Sequence, residues 1–200
     1  MGPVHWKPRR IFFSGGGVRG MASVGAYAAL ADNGFADDLE LFGGASAGSG
    51  LAALLACGYT AKECKDIEDS TDFAQFLDGG RISRQLWNLY WYNGMNPGTF
   101  MRNFFDQKIE AKIGHKNATF AQMHAKTKKE LVVVATSYKT HKRFVYSIEN
   151  TPDIPIADAV RASSALPLVF TPFPGPVDES GEPDIQVDGG VCDNFPMDLS

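Results

Sequence analysis

An α/β fold, arranged as a three-layer α/β/α sandwich around a mainly parallel central sheet, is what this sequence predicts. Three observations carry that expectation. Two short apolar runs near the N-terminus, Arg10–Ser14 and Leu39–Phe42, each pass through a glycine-rich turn into a helix-like stretch. After a long helical middle, the β-branched run Leu131–Thr136 brings the sheet back. A chain of 200 residues with 44% hydrophobic and 21% charged content is also large enough to bury a sheet between helical layers.

In chain order, Arg10–Ser14 reads as a buried strand running into Gly15-Gly16-Gly17-Val18-Arg19-Gly20, and Met21–Asp32 as a helix closed by Asn33-Gly34. Leu39–Phe42 is the second strand. It leads through Gly44-Ala45-Ser46-Ala47-Gly48 into the helical Leu51–Ala56, with Gly58 as the stop. Residues 59–130 read as a mainly helical insertion within a single domain covering 1–200, with loop signals at Asp78-Gly79-Gly80 and Asn93–Gly98. Leu131–Thr136 and the alternating Arg143–Ile148 are expected to be adjacent strands joined through Lys139–Lys142. A short helix over Ile156–Ser164, a proline-rich loop over Pro172–Pro183 and a last strand, Asp184–Asp188, ending in Gly189-Gly190 complete the reading.

The bulk properties exclude several classes of function. A net charge of −4 without a broad basic surface gives no reason to expect a nucleic-acid partner. The local clusters Lys126, Lys128, Lys129 and Lys139, Lys142, Arg143 read as solvated faces, with an anionic membrane as the alternative. Three cysteines, Cys57, Cys64 and Cys192, lack both disulfide-framework and zinc-ligand spacing, so no metal site is expected. Only Ile11-Phe12-Phe13 follows the basic Lys7, Arg9 and Arg10, too short for a signal-peptide core. Pro3 and Trp6 break the myristoylation pattern after Gly2. No apolar run approaches a bilayer span, so the expected setting is cytoplasmic or peripheral to a membrane.

The chemistry concentrates in three short motifs. Gly44-Ala45-Ser46-Ala47-Gly48 fits G-x-S-x-G between a strand and a helix, the order needed for a nucleophile elbow, where small flanking residues let the backbone turn sharply and expose the serine hydroxyl. Gly15–Gly20 has two readings. It fits the dinucleotide fingerprint G-x-G-x-x-G, with Asp37 or Asp38 near the place of a ribose-binding acid, and so leaves an NAD(P)-binding oxidoreductase as an alternative. Yet those aspartates precede the second strand instead of closing it, and Met21 stands where a Walker A lysine would be. The hydrolase reading uses both loops together: the amides of Gly15, Gly16 and Gly17 approach a reacting carbonyl, with a helix N-terminus behind them. Arg19 would orient that loop, meet an anionic head group, or sit at the surface.

Ser46 needs a base. His5, His115, His124 and His141 all precede the late aspartate, so none completes the serine–acid–histidine order of α/β-hydrolases, although Asp106 with His141 remains formally open. The outstanding candidate is Asp188, at a strand end before Gly189-Gly190, where the glycines permit close backbone approach. An exposed aspartate accepts a serine proton poorly, so this pairing requires a site that excludes water.

In these residues the sequence resembles the patatin-like phospholipases. The resemblance rests on G-G-G-x-R-G, G-x-S-x-G and D-G-G in that order, together with the blocks Ala162-Ser163-Ser164-Ala165-Leu166-Pro167 and Asn194-Phe195-Pro196, and spans about Ile11 to Pro196. It implies a patatin-like fold and a Ser-Asp lipid acyl hydrolase needing no cofactor for chemistry. Ser46 would be the nucleophile, Asp188 the base and Gly15–Gly17 with Arg19 the oxyanion loop, while Gly44, Gly48, Gly189 and Gly190 shape the elbow and the turn. The implied substrate is a phospholipid or lysophospholipid ester at a peripheral membrane surface; a protein activator and delivery as an effector into other cells both stay open. Family domains usually continue through further strand and helix, whereas this chain ends at Ser200.

The stretch from Trp87 through Tyr90, Trp91 and Met95 to Phe104 and Phe105 has two readings, the buried face of the middle helices or an acyl groove and interfacial lid. The first is the expectation. A non-enzymatic rival for the whole chain is a catalytically silent lipid-binding module.

Overall fold

The computed structural model describes residues 7–17, 21–177 and 181–199. His5 and Arg19 lie outside them, as do Gly2, Pro3, Trp6, Val18 and Gly20. Strands β1 (Arg10–Phe13), β2 (Leu41–Ala45) and β4 (Glu130–Ser137) form a parallel half-sheet, and helices α1 (Met21–Asp32) and α2 (Ala47–Ala56) follow the first two strands. Parallel character stops at β4. Strand β5 (Arg143–Tyr146) pairs antiparallel with one edge of β4, while β8 (Pro183–Asp188) pairs antiparallel with β4 and with β7 (Phe173–Val177). The architecture is the expected central sheet with helical segments on both sides, and its sheet divides into a parallel and an antiparallel half.

Between β2 and β4 run α3 (Ala61–Ser70), a 3-10 turn over Phe73–Phe76, α4 (Ile82–Tyr92), α5 (Thr99–Ile113) and α6 (Phe120–Thr127). Helix α3 opens on a capping box, in which the Thr60 hydroxyl accepts from the Glu63 amide and Glu63 accepts from the Thr60 amide. Glu63 also receives Lys112 at 2.7 Å, tying α3 to α5; the ammonium and the Thr60 amide pull its carboxyl down to about 2.

Two elements depart from the sequence reading. The proline-rich Pro172–Pro183 segment contains β7, whose Pro174 and Pro176 are tolerated because β7 is an outer strand with a register shift between Pro174 and Val177. The loop at 93–98 contains β3 (Gly94–Asn96), which pairs parallel with β6 (Leu168–Phe170) in a separate two-stranded sheet. Pairing decided both elements, β3 with a strand far along the chain and β7 with the neighbouring β8, and neither has a local β pattern of its own.

The main core lies on one face of the sheet, where Phe42, Leu131, Val133 and Ala135 meet α2, α5, α6 and α7 (Ile156–Ser163). On the other face Leu41, Ala45, Val132 and Val134 form a smaller cluster, with Leu199 of a C-terminal 3-10 helix packed against it. Several residues of the basic clusters are engaged by the fold. Lys126 donates to Ile113 O, Lys129 lies over the Phe42 ring and donates to Leu55 O, and Arg143 pairs with Asp193 and Asp198.

Candidate active site

Strand register brings the two candidate residues together. Ala45, the last residue of β2, pairs with Val134, and Asp188, the last residue of β8, pairs with the next β4 residue, Ala135. At Val134 and Ala135 the opposite edge of β4 is occupied by β5, so β2 and β8 share one edge and meet end to end. Ser46 follows directly from Ala45. Its Oγ donates to Asp188 Oδ2 at 2.6 Å, across 142 residues of sequence.

The turn at Ser46 is strained and held. Its φ of 51° and ψ of −130° put a non-glycine residue in a sparsely populated region, as a nucleophile elbow requires. The Ser46 amide donates to Ser163 Oγ at 2.8 Å, and Ser163 Oγ in turn donates to Val134 O at 2.6 Å. Close packing demands the flanking glycines. A Cβ on Gly48 would stand 2.3 Å from the Phe13 carbonyl oxygen, and one on Gly44 would stand 2.5 Å from the Gly48 backbone.

Asp188 is fixed on every side. Its Oδ1 accepts from Gly190 N–H at 2.7 Å, its own N–H donates to Ala165 O, and its carbonyl accepts from Thr136 Oγ1. Only 4% exposed, its carboxyl is pushed above the ordinary carboxylate value by burial, against the opposing pull of the Ser46 hydroxyl and the Gly190 amide. Gly189 lets the turn lie on the sheet, since a Cβ there would be 2.0 Å from Val134 O.

The glycine loop closes over the same point. A Cβ on Gly15 would meet Ser46 Cβ at 2.9 Å and Asn194 Oδ1 at 2.4 Å, so the loop packs on the elbow itself. Gly15 N–H donates to Asn194 O at 3.2 Å, which removes Gly15 from the expected set of oxyanion donors. Gly17 lines the cavity beside Ser46, and Gly16 lies between the two. Behind Ser46 stands the N-terminus of α2, where the helix dipole favours negative charge.

Ser46 and Asp188 open into a cavity of about 540 Å³ whose wall is mostly apolar, including Leu51, Leu54, Ile67, Phe76 and Phe104. Cys64 also reaches it, but burial holds that thiol up at about 12. The described histidines lie elsewhere: His115 and His141 are exposed, and His124 Nδ1 contacts Lys129 O. Asp106, the acid of the open triad alternative, is buried against Arg102 and the Asn117 amide. Asp38, a candidate ribose-binding acid, pairs with Lys7 at 2.6 Å. Among the described residues, no group of three or more His, Cys, Asp or Glu is placed to hold a metal ion, and no helix is long and apolar enough to cross a membrane.

The sequence points to Ser46, Asp188 and their glycines, which the structure brings together, but assigns no task to Ser163 or Asn194. Both sit in the blocks Ala162–Pro167 and Asn194–Pro196, so the signal existed as pattern without geometry. The expectation of a buried aromatic face also needs correction. Phe104 and Phe105 line the cavity, whereas Trp87, Tyr90, Trp91 and Tyr92 on α4 are each more than half exposed.

Comparison with known sequences and structures places these features in a wider setting. The sequence pattern of the family described as patatin-like phospholipase matches residues 11–199. Protein YqhO of Bacillus subtilis (strain 168), whose function is uncharacterised, is 32% identical over 196 residues, covering 92% of this chain and 64% of that protein. The probable lipid hydrolase 463L of Invertebrate iridescent virus 6 is 28% identical over 204 residues, covering 99% of this chain and 64% of the relative. The chain thus spans slightly under two thirds of the length of these relatives. In fold it is similar to VipD from Legionella pneumophila, with a TM-score of 0.67 at 23% identity over 94% of this chain and 47% of that one.

Proposed function

Because the chain belongs to the patatin-like phospholipase family, we propose that it is a lipid acyl hydrolase cleaving fatty-acyl esters of phospholipids or lysophospholipids, with Ser46 as nucleophile and Asp188 as base. The observation that carries this reading is the 2.6 Å hydrogen bond from Ser46 Oγ to Asp188 Oδ2 at a strained turn opening into an apolar cavity.

In the proposed reaction, Ser46 Oγ attacks the ester carbonyl carbon while Asp188 Oδ2 takes the hydroxyl proton. The carbonyl electron pair moves onto oxygen, where the amides of Gly16 and Gly17 and the α2 N-terminus offset the charge. Collapse of this intermediate breaks the bond to the alcohol, which leaves with the proton from Asp188, and the acyl group stays on Ser46. Water then gives its proton to Asp188 and its oxygen to the acyl carbon, and the fatty acid departs as Ser46 recovers its proton. Burial suits Asp188 to the task, because a carboxyl with a raised pKa is a stronger base toward a hydroxyl than an exposed one. The cavity volume falls within the ordinary range for small-molecule sites, about 300–1,000 Å³, and its apolar wall suits an acyl chain. As written, the reaction calls for no cofactor.

A fatty-acid release assay on a panel of phospholipids and lysophospholipids tests the proposal, with Ser46→Ala as control and a fluorophosphonate probe as an independent reading. Release and labelling that both vanish in Ser46→Ala are expected. A folded chain that releases no fatty acid from any lipid and takes no label would overturn the hydrolase assignment.

A further inference from the structure

Helix α4 is built inside out. Its inward row is Gln85, Asn88 and Leu89, with Asn88 Nδ2 donating to Met95 O. Its outward rows are Ile82, Leu86 and Tyr90, spaced four apart, beside Trp87 and Trp91, also four apart. These five side chains are 58–78% exposed, and no α4 residue is fully buried. The two tryptophan rings meet at a tilt with centroids 5.6 Å apart and Tyr90 meets Trp91 edge to face at 5.1 Å, so the exposed aromatics form one patch. A helix facing water would present the opposite arrangement.

Charge along the stretch of chain that carries the patch is one-sided. The sequence carries no Asp or Glu between Asp78 and Asp106, although the chain as a whole is acidic. Asp78 itself is turned to the backbone, accepting from the Gly98 and Phe100 amides. Arg81 and Arg84, at the start of α4, are exposed. The patch also lies next to the cavity in the chain: Leu77, on the turn leading into α4, is half exposed and lines the cavity that holds Ser46. Its neighbour Phe76 contacts Phe100 and Phe104, which carry the apolar surface along α5.

We propose that the exposed face of α4 is a membrane-docking surface, in which Trp87, Tyr90 and Trp91 enter the headgroup boundary of a bilayer and Arg81 and Arg84 meet anionic lipid phosphates. Tryptophan and tyrosine favour that boundary because each pairs an apolar ring with a polar tip. Adjacent arginines, in a stretch of chain that carries no acid between Asp78 and Asp106, add attraction to an anionic leaflet. Docked on this face, the chain would hold Leu77 and the cavity near the lipid whose acyl chain it takes. This last step rests on the hydrolase proposal; the docking itself does not.

The test is vesicle cosedimentation of the full chain carrying Ser46→Ala, so that lipid is not consumed, with phosphatidylcholine vesicles with and without phosphatidylglycerol. Adding Trp87→Ser and Trp91→Ser is expected to weaken partitioning roughly tenfold or more with an unchanged thermal midpoint, because both side chains are exposed. Arg81→Gln with Arg84→Gln should remove most of the preference for the anionic vesicles. Equal partitioning of the tryptophan variant and its parent would overturn the proposal. So would unchanged vesicle binding alongside loss of self-association in size-exclusion chromatography, which would make the face a contact between copies. Loss of binding in the tryptophan variant supports docking whether or not the chain with Ser46 intact releases fatty acid, which separates failure of this inference from failure of the hydrolase reading.

Discussion

Around Ser46 the serine and Asp188 are hydrogen-bonded internally and Gly44, Gly48 and Gly189 are fitted against backbone, whereas along α4 the large aromatic side chains stand mostly in solvent. One region is held by many mutually dependent contacts. The other has surface to spare. A turn with a serine at positive φ persists only when its surroundings over-determine it, and here the amide bond to Ser163, the packing of Gly48 on β1 and the abutting ends of β2 and β8 do so. Helix α4 needs no such precision, because fitting a fluid surface depends on composition more than on position.

The largest expected effect breaks the tight region at its centre. Asp188→Asn keeps the shape but cannot take a proton, so ester hydrolysis should fall by about 10⁴-fold in a steady-state assay. As the proposed base, Asp188 would act ionised, and its raised pKa should then place the acidic limb of the kcat/KM profile at higher pH than an exposed aspartate would give. Stability follows the same shift. The folded chain holds this proton more tightly than the unfolded one, so the contribution is favourable at low pH and is lost as pH rises from the unfolded pKa through the folded one. Melting curves of Asp188→Asn across that window should lack the decline.

Next comes packing. Gly189→Ala would drive a methyl group into Val134 O and should destabilise by about 3 kcal/mol or more, roughly 10 °C in thermal midpoint. Gly25→Ala, on the exposed side of α1 with open space around its Cβ, should instead stabilise by about 0.5–1 kcal/mol. If the two changes gave similar midpoints, the close fit of Gly189 against β4 would not hold. Ser163→Ala sharpens the contrast between the two regions further. The variant leaves the Ser46 amide and Val134 O short of a partner, which should remove about 1–3 kcal/mol of stability. As a positioning residue, Ser163 should also affect kcat roughly tenfold with KM little changed; an unchanged kcat would leave it only a structural role.

The same contrast explains what could be read from sequence. Gly44, Gly48 and Gly189 are legible because a tight turn or a close approach excludes other residues, and Ser46 and Asp188 stand out beside them. The strands with strong β-branched or alternating patterns, β4, β5 and β8, are legible for the same local reason. Strands β3 and β7 were not, since Gly94–Asn96 and the proline-bearing Phe173–Val177 become strands only by pairing with β6 and β8. The aromatic run was misread as core because composition records what is apolar and not which side of a helix meets the protein. Gly15 was misread as a donor because its amide is taken by Asn194, a residue 179 positions away.

By itself, then, the sequence determined the α/β class, the two strand–turn–helix units, the elbow around Ser46 and the candidacy of Asp188, because each follows from local sterics and hydrophobic pattern. Tertiary structure alone decided that Ser46 and Asp188 meet. Their contact depends on β2 and β8 ending against consecutive residues of one edge of β4, Val134 and Ala135, a register that no short stretch of sequence encodes. It also decided which aromatic residues line a cavity and which face outward, because burial belongs to the partner surface as much as to the side chain.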